Sequence, residues 1–493
     1  RGTTVNFKKI CVLGLGYIGL PTASTFATSG VKVIGVDVNQ KVVNSLQNGE
    51  VHIYEPGLRT LVQAAVQSGN LVIADHPEEA DAFIIAVPTP FYDEKKADLT
   101  YVRSATESIV PFLRKGNLVV LESTSPPLTT FDILIPILEK SGLQGRGGAG
   151  FPVGRKWGFV AGARNTPKYI ICNADESEPL IFKDRVLIDT NPHQILEGMA
   201  IAGYACGANE AFIYIRGEYV HQAKRLERAI HQAEERGYLG ENIQGTGFSF
   251  HIHVHMGAGA YICGEESALF ESIEGFRGEP RNKPPYPTTS GLFSKPTSIN
   301  NVETLVTAMM IIARGPEMYV KLGTKDSRGS KVFSISGDTP IPGIFELELG
   351  MTVQEFVNEF GDGDAKAVQV GGASGFCVPR KKFAETIIGF EGVPTGGSMK
   401  LFNSSRSMYN VLHNYLEFFT EESCGQCTPC RVGCQQLLKG VEKVKKGEAK
   451  STYLTELVKL ADTMKVASKC GLGQSVGNAF KSIVENFREE IIY

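Results

Sequence analysis

Gly145-Arg-Gly-Gly-Ala-Gly-Phe-Pro-Val-Gly-Arg-Lys-Trp157 places five glycines and a lysine within thirteen residues. Glycines carry no Cβ, so the N–H groups of such a loop can close around an anion, and Lys156 adds a point charge suited to a phosphate. A Gly-rich surface loop that binds nothing is the competing reading, and the loop alone does not separate the two. A second stretch narrows the chemistry. Glu422-Ser-Cys-Gly-Gln-Cys-Thr-Pro-Cys-Arg431 carries Cys424, Cys427 and Cys430, and Cys470 follows forty positions after the last of them. Three closely spaced thiols cannot all pair with one another as disulfides, but their sulfurs can converge on one metal centre. Cys-x-x-Cys-x-x-Cys with a distant fourth cysteine is a 4Fe–4S ligand pattern. A four-thiolate zinc site is the alternative, although zinc usually takes two separated Cys-x-x-Cys knuckles. An iron–sulfur centre moves single electrons, which calls for a two-electron partner elsewhere in the chain.

The front of the chain has its own signature. Lys8-Lys-Ile-Cys-Val-Leu-Gly-Leu-Gly-Tyr-Ile-Gly19 reads as a short apolar strand entering Gly14-x-Gly16-x-x-Gly19 and then a helix. Asp37 closes the next apolar run, 21 residues after Gly16. That is the dinucleotide fingerprint in strand–turn–helix context, with the acid placed for a ribose hydroxyl.

Bulk properties bound the rest. A chain of 493 residues suggests three or four domains. A formal charge of −3 gives no electrostatic case for nucleic acid or an anionic membrane. No apolar run reaches the ~20 residues of a membrane span, and no signal segment leads the chain. Ten cysteines are too sparse for a disulfide scaffold, which suits a reducing, cytoplasmic setting. Strand patterns at 31–36, 82–87 and 117–121 alternate with helical ones, as in a parallel α/β sheet. Further strands fall at 169–172 and 211–215, with a charged helix near 221–236. Runs at 331–335, 343–347 and 367–370, with a helix over 352–360, suggest a small β-grasp module. After residue 400 the period turns helical, including 454–466 and 476–487, so a bundle should frame the cysteines.

Four motifs in order make the reading specific: Gly145–Trp157, Asn173-Ala-Asp-Glu-Ser-Glu-Pro179, Gly257-Ala-Gly-Ala-Tyr-Ile-Cys-Gly-Glu-Glu266 and Asn300-Asn-Val-Glu-Thr304. With the cysteines behind them, residues 143–493 resemble the NADH-binding flavoprotein subunit of respiratory complex I and its relatives in NAD-reducing hydrogenases and NAD-linked formate dehydrogenases. Together with the dinucleotide fingerprint at the front, this leads to an expected α/β chain in four parts. A Rossmann-like domain spans 1–143, an FMN- and NADH-binding α/β domain 144–330, a β-grasp domain 331–400, and a helical bundle with the 4Fe–4S cluster 401–493.

The same resemblance implies FMN contacts from Gly145, Gly147, Lys156, Asn173, Asp175, Ser177, Gly264, Glu265, Asn300, Asn301 and Thr304. It implies NADH contacts from Phe151, Phe159, Glu178, Tyr261, Glu266, Lys283 and Tyr286, with Glu178 and Glu266 near the nicotinamide and no side chain acting as acid or base. Cys424, Cys427, Cys430 and Cys470 would hold the cluster. Partners would be a thioredoxin-like 2Fe–2S subunit and a larger iron–sulfur subunit, placing the chain peripherally on the cytoplasmic face of a membrane. Taken singly, each aromatic is more often core than ligand contact, and each acid has an ordinary ion-pair reading. Two positions depart from the family pattern: Gln144 stands for the usual Arg, and Leu180 for the usual Gly after Glu-Pro.

Residues 8–143 resemble instead the N-terminal domain of nucleotide-sugar dehydrogenases, through the Gly14/Gly16/Gly19 turn, Tyr54-Glu-Pro-Gly-Leu58, Ala86-Val-Pro-Thr-Pro90 and Glu122-Ser-Thr-Ser-Pro-Pro127. That implies a possible second NAD site at Gly14, Gly16, Gly19, Asp37, Thr89 and Glu122. The catalytic Cys and Lys segments of that family are not found after residue 143. Together with the start at Arg1, this makes a fused or mis-assigned front segment, joined near 138–143, the expected origin. The leading function is NADH oxidation through FMN to a 4Fe–4S cluster; the alternatives are a nucleotide-sugar dehydrogenase and a non-catalytic zinc and nucleotide-binding module.

Overall fold

A computed structural model describes residues 7–53, 57–88, 100–114, 116–121 and 131–492. Contacts divide the chain into two compact units, Arg1–Thr129 and Thr130–Tyr493.

In the first unit, β1 (Lys9–Leu13), β2 (Lys32–Val36), β3 (Leu71–Ala74), β4 (Ala82–Ile85) and β5 (Leu118–Leu121) form a parallel sheet in the order β3-β2-β1-β4-β5. Its strands are short runs of Val, Ile and Leu whose side chains are buried on both faces of β1 and β4, as crossover helices require. The glycine turn is sterically necessary. A Cβ on Gly14 would sit 2.6 Å from the Ala86 carbonyl oxygen, and one on Gly19 would sit 1.9 Å from that of Gly14. A Cβ on Gly16 would meet nothing, so that position faces open space. No sixth strand follows β5 among the described residues of this unit.

The second unit begins earlier than the sequence suggests. Helix Phe131–Ser141, assigned above to the front domain, packs its Ile135 and Leu138 into the core around Trp157, Met199 and Leu305. Gly154 lets the next helix approach it, since a Cβ there would lie 2.7 Å from the Glu139 nitrogen. The boundary therefore moves from 143 to 129/130, because an amphipathic helix belongs with the core that buries its apolar side.

Here β6 (Tyr169–Ala174), β7 (Glu210–Ile215), β8 (His251–Met256) and β9 (Thr297–Asn301) form a parallel sheet ordered β8-β7-β6-β9. Helices Val153–Gly162, Pro192–Cys206 and Val302–Arg314 pack with one face. Ile171, Tyr214 and Ile299 on the other share a core with the C-terminal helices. Next, β10 (Ser330–Gly337), β11 (Gly343–Glu348), β12 (Ala365–Val370), β13 (Phe376–Pro379) and β14 (Ser398–Asn403) are ordered β11-β10-β14-β12-β13, with only β10 and β14 parallel. That is the β-grasp arrangement. Its helix, Val353–Phe360, opens on a Thr352/Glu355 capping box. Four long helices follow: Met408–Glu422, Thr428–Lys445, Tyr453–Ala467 and Gly471–Asn486. Among the described residues, no helix is long and apolar enough to cross a membrane.

Candidate functional site

The Gly-rich loop, the ends of β6 and β9, and the segment before Glu266 converge on a cavity of about 470 Å³. Parallel strands deliver their C-terminal ends to one edge of a sheet, which is why motifs more than a hundred residues apart meet there. Gly147, Asn173, Asp175, Ser177, Glu178, Tyr261, Gly264, Glu265 and Asn301, all expected site residues, line it. Asn173 donates from Nδ2 to the Gly264 carbonyl at 3.0 Å and accepts from the Asp175 amide at 3.1 Å. Burial pushes the Asp175 carboxyl up to about 7, although the Ser177 hydroxyl donates to it at 3.2 Å. Burial likewise raises Glu178 above its ordinary range. Glu178 still accepts from the Tyr261 hydroxyl at 2.7 Å and from Ser374 through its amide at 3.1 Å and its hydroxyl at 2.8 Å. Gly372 must be glycine for this, since a Cβ would lie 2.4 Å from the Glu178 carboxylate.

Nearly half of the wall comes from elsewhere. Gly371, Ser374, Gly375, Pro394, Thr395 and Gly396 of the β-grasp region line the cavity, as do Gly471, Leu472, Ser475 and Asn478 of the last long helix. The sequence placed every flavin contact within 144–330; glycines and serines scattered over the later segments carried no pattern that could have marked them.

Four expected flavin residues stand behind the wall. Lys156 donates to the Ile299 carbonyl at 2.5 Å, and burial pushes its ammonium down to about 8. Buried Asn300 accepts from the Trp157 indole N–H at 3.3 Å and donates to Ser298 at 3.2 Å. Thr304 accepts the Arg146 amide at 2.9 Å, which pins the start of the loop. Gly145 closes the loop by donating its amide to the Phe151 carbonyl at 3.0 Å. Beside the cavity, Lys283 pairs with Glu265 at 2.9 Å and Glu266 at 2.5 Å, and the two carboxylates outweigh its burial and raise its ammonium. Phe151, Phe159 and Tyr286 are 45%, 49% and 60% exposed; the Arg155 guanidinium lies over the Phe159 ring, 5.7 Å from its centroid.

A buried charge array, invisible as pattern, underlies the loop. Glu303 accepts from Lys183 and Lys331 at 3.0 Å each and from the Val332 amide at 2.8 Å; Lys331 also donates to the Arg146 carbonyl at 2.7 Å. Leu180, flagged above, sits at φ 69°, the left-handed region that favours glycine. A non-glycine residue there costs roughly 1–2 kcal/mol, offset in part by about 0.5–1 kcal/mol of glycine chain entropy. Leu180→Gly is therefore expected to raise stability by a few tenths to about 1 kcal/mol; an unchanged or lower melting temperature counts against this.

The cysteines come together through helix ends. Cys427 precedes the first turn of Thr428–Lys445, Cys430 lies within that turn, and Cys470 caps Gly471–Asn486. A Cβ on Gly473 would sit 2.9 Å from the Cys430 Cβ, so the two helix starts touch. Among the described residues, no three His, Cys, Asp or Glu side chains are gathered around a single-ion position.

Residues 138–309 match the Nuo51 FMN-binding domain, and 410–493 match the NADH-ubiquinone oxidoreductase-F iron–sulfur binding region. The F 2 subunit of the NADH-quinone oxidoreductase of Rhizobium meliloti is 42% identical over 374 residues, 74% of this chain and 89% of its own. The chain belongs to the family of NADH-quinone oxidoreductase F subunits. The alpha subunit of the NAD-reducing hydrogenase HoxS of Cupriavidus necator is 43% identical over 72% of this chain, which spans 59% of that protein. A crystal structure of an NAD⁺-reducing [NiFe]-hydrogenase aligns with TM-score 0.68 and 39% identity, covering 75% of this chain and 65% of that one. This protein is accordingly an NADH-oxidising electron-entry flavoprotein using FMN, a 4Fe–4S cluster and NAD(H), and its family works in multi-subunit redox complexes.

Residues 8–160 match the NAD-binding domain of the UDP-glucose/GDP-mannose dehydrogenase family. In the first unit Asp37 accepts the Leu15 amide at 2.9 Å through one oxygen and the Asn39 amide at 2.8 Å through the other, so it braces the glycine turn. Thr89 and Glu122 lie outside the described residues.

Proposed function

We propose that the 470 Å³ cavity holds the FMN, with the Gly147 loop, Asn173, Asp175, Ser177, Gly264 and Asn301 as its polar contacts. Glu265 lies at the rim, and Gly145, Lys156, Asn300 and Thr304 support the wall from behind. The observation that carries this reading is the shared wall: flavin-motif residues face Gly471 and Leu472, which follow directly on Cys470. A flavin held by these residues would supply the two-electron chemistry of hydride acceptance from NADH, and a cluster held by the four cysteines would supply one-electron transfer. The chain's own part is orientation. Glu178 and Tyr261 fix one side of the nicotinamide position, the exposed rings of Phe151 and Tyr286 and the face of Phe159 away from Arg155 offer stacking surfaces for adenine, and Lys283 and Glu266 flank the entrance. Cys424, Cys427, Cys430 and Cys470 are the cluster ligands. No side chain has to act as acid or base.

The electrons leave to partners, for which a thioredoxin-like 2Fe–2S subunit and a larger iron–sulfur subunit are proposed. They would hold the chain at the periphery of a membrane complex, on its cytoplasmic face. A visible spectrum tests the core of the proposal. Flavin bands with a broad thiolate-to-iron shoulder are expected, and a colourless protein that assays for zinc overturns it.

Every residue given a role here lies beyond residue 144, so the first unit should be dispensable for NADH oxidation. A chain starting at Thr130, which keeps helix Phe131–Ser141, is expected to match the full chain in NADH–ferricyanide reductase rate. A start at 143 removes Ile135 and Leu138 from the core and is expected to cost several kcal/mol of stability, at about 1.5–3 kcal/mol per buried aliphatic side chain. The first unit would bind NAD weakly and oxidise no UDP-sugar. A lost rate in the Thr130 truncation with flavin still bound would show that the front unit takes part.

A further inference from the structure

Asn301 is the expected flavin contact whose surroundings are most tightly specified. It lines the cavity, and its amide is committed to buried partners. Oδ1 accepts from the Lys183 ammonium at 3.1 Å and from the Glu303 amide at 3.0 Å, while Nδ2 donates to Asp184 Oδ2 at 2.6 Å. Lys183 and Asp184 are themselves paired at 2.6 Å, with side chains 1% and 4% exposed. This arrangement admits one amide orientation. Flipping Asn301 would point its NH₂ at an ammonium and its oxygen at a carboxylate, both in a desolvated site where such mismatches are most costly. The amide has two N–H groups, and Asp184 takes one.

We infer that Lys183 and Asp184 are positioning residues that clamp the Asn301 amide so that its second N–H is presented to the flavin. This rests on the cavity being the flavin site. Neither clamp residue lines the cavity, and neither was singled out by the sequence, because Lys-Asp is an unremarkable dipeptide until strand β9 brings Asn301 beside it. The clamp also explains the close approach at Gly147, where a Cβ would lie 3.3 Å from the Asn301 Cβ: the loop packs against a side chain that cannot turn aside.

Complementary exchange tests it. In Asp184→Asn, the oxygen facing Asn301 Nδ2 becomes an NH₂ or the Lys183 contact is lost, so the clamp is mismatched in either rotamer. The double variant Asp184→Asn/Asn301→Asp restores the pattern, because the new carboxylate accepts from Lys183, the Glu303 amide and the new asparagine. It also places an oxygen where the N–H met the cavity. Flavin affinity, the midpoint potential of bound FMN and the melting temperature of the flavin-free protein are measured on full chains beside the wild type. Asp184→Asn is expected to weaken flavin binding about tenfold or more and to shift the potential. The double variant is expected to recover the flavin-free melting temperature without recovering affinity or potential. Unchanged affinity and potential in Asp184→Asn, or their recovery in the double variant, overturn the clamp. A wild-type protein that takes up no flavin overturns the site itself, which separates the two failures.

Discussion

Cys470→Ala protein is expected to lose its cluster iron and the EPR signal of the reduced cluster while keeping its flavin. The reason is geometric. Cys470 is forty residues from Cys430 in sequence, but it caps the helix whose first turn rests on Cys430, with Gly473 leaving no room for a Cβ between them. Removing the thiol takes away one of the four proposed ligands. Cys434 is the nearby candidate, its sulfur 3.9 Å from that of Cys430. It lies one turn deeper in the same helix, wholly buried among Leu437, Val441 and their neighbours, and its contact with the Cys430 thiol together with burial raises its own thiol far above the ordinary range. Cys434→Ala should therefore keep its iron. Flavin should survive in Cys470→Ala because alanine preserves the backbone of Gly471 and Leu472, the atoms that follow into the cavity wall. Iron content and EPR signal that persist in Cys470→Ala would mean the fourth ligand is elsewhere.

How much of this could be read from the sequence depended on whether the signal was local. The Gly14/Gly16/Gly19 turn, the Gly145–Trp157 loop and the cysteine spacing are local, since each needs only a few neighbouring residues to state its chemistry. The β-grasp module was visible in β10, β11, β12 and its capped helix, but β13 and β14 were missed. Phe376–Pro379 ends in a proline, and Ser398–Asn403 follows a glycine-rich turn, so neither shows a clean alternation. β8 was missed for a related reason: His251, His253 and His255 alternate with apolar residues, but histidine has no firm preference for inside or outside. Helix Phe131–Ser141 was given to the wrong unit because periodicity reports an apolar face without saying which core receives it. The contacts furthest from legibility are the long-range charged ones. Lys183, Glu303 and Lys331 share no sequence pattern until the fold joins two helices to β10, and the phosphate reading of Lys156 carried no sign of the Ile299 carbonyl to which it donates.

That buried array predicts the largest stability effect. Burial alone would raise the Glu303 carboxyl, but the Lys331 and Lys183 ammoniums and the Val332 amide outweigh it and hold the group down at about 2. The two lysines are not equally content. Lys183 is raised by Asp184 and Glu303 despite its burial, whereas burial pushes Lys331 down to about 8 because Glu303 is shared and Lys183 and Arg146 repel it. The array is thus costly to desolvate, and its removal in part is worse than its presence. Glu303→Ala leaves the buried Lys331 ammonium without a carboxylate and facing Lys183, which keeps only Asp184, and about 3–5 kcal/mol of destabilisation is expected. Glu303→Gln keeps the acceptor for Val332 and should lose less. The sign of the pH dependence follows from the depressed carboxyl. Its stabilisation is fully present above the unfolded value near 4.5 and is lost as the pH falls toward 2. Chemical denaturation at pH 7 should therefore show the full gap between wild type and Glu303→Ala, and the gap should narrow through that acid window. A gap that stays constant from pH 7 to pH 3 would place the stabilisation in packing rather than in charge.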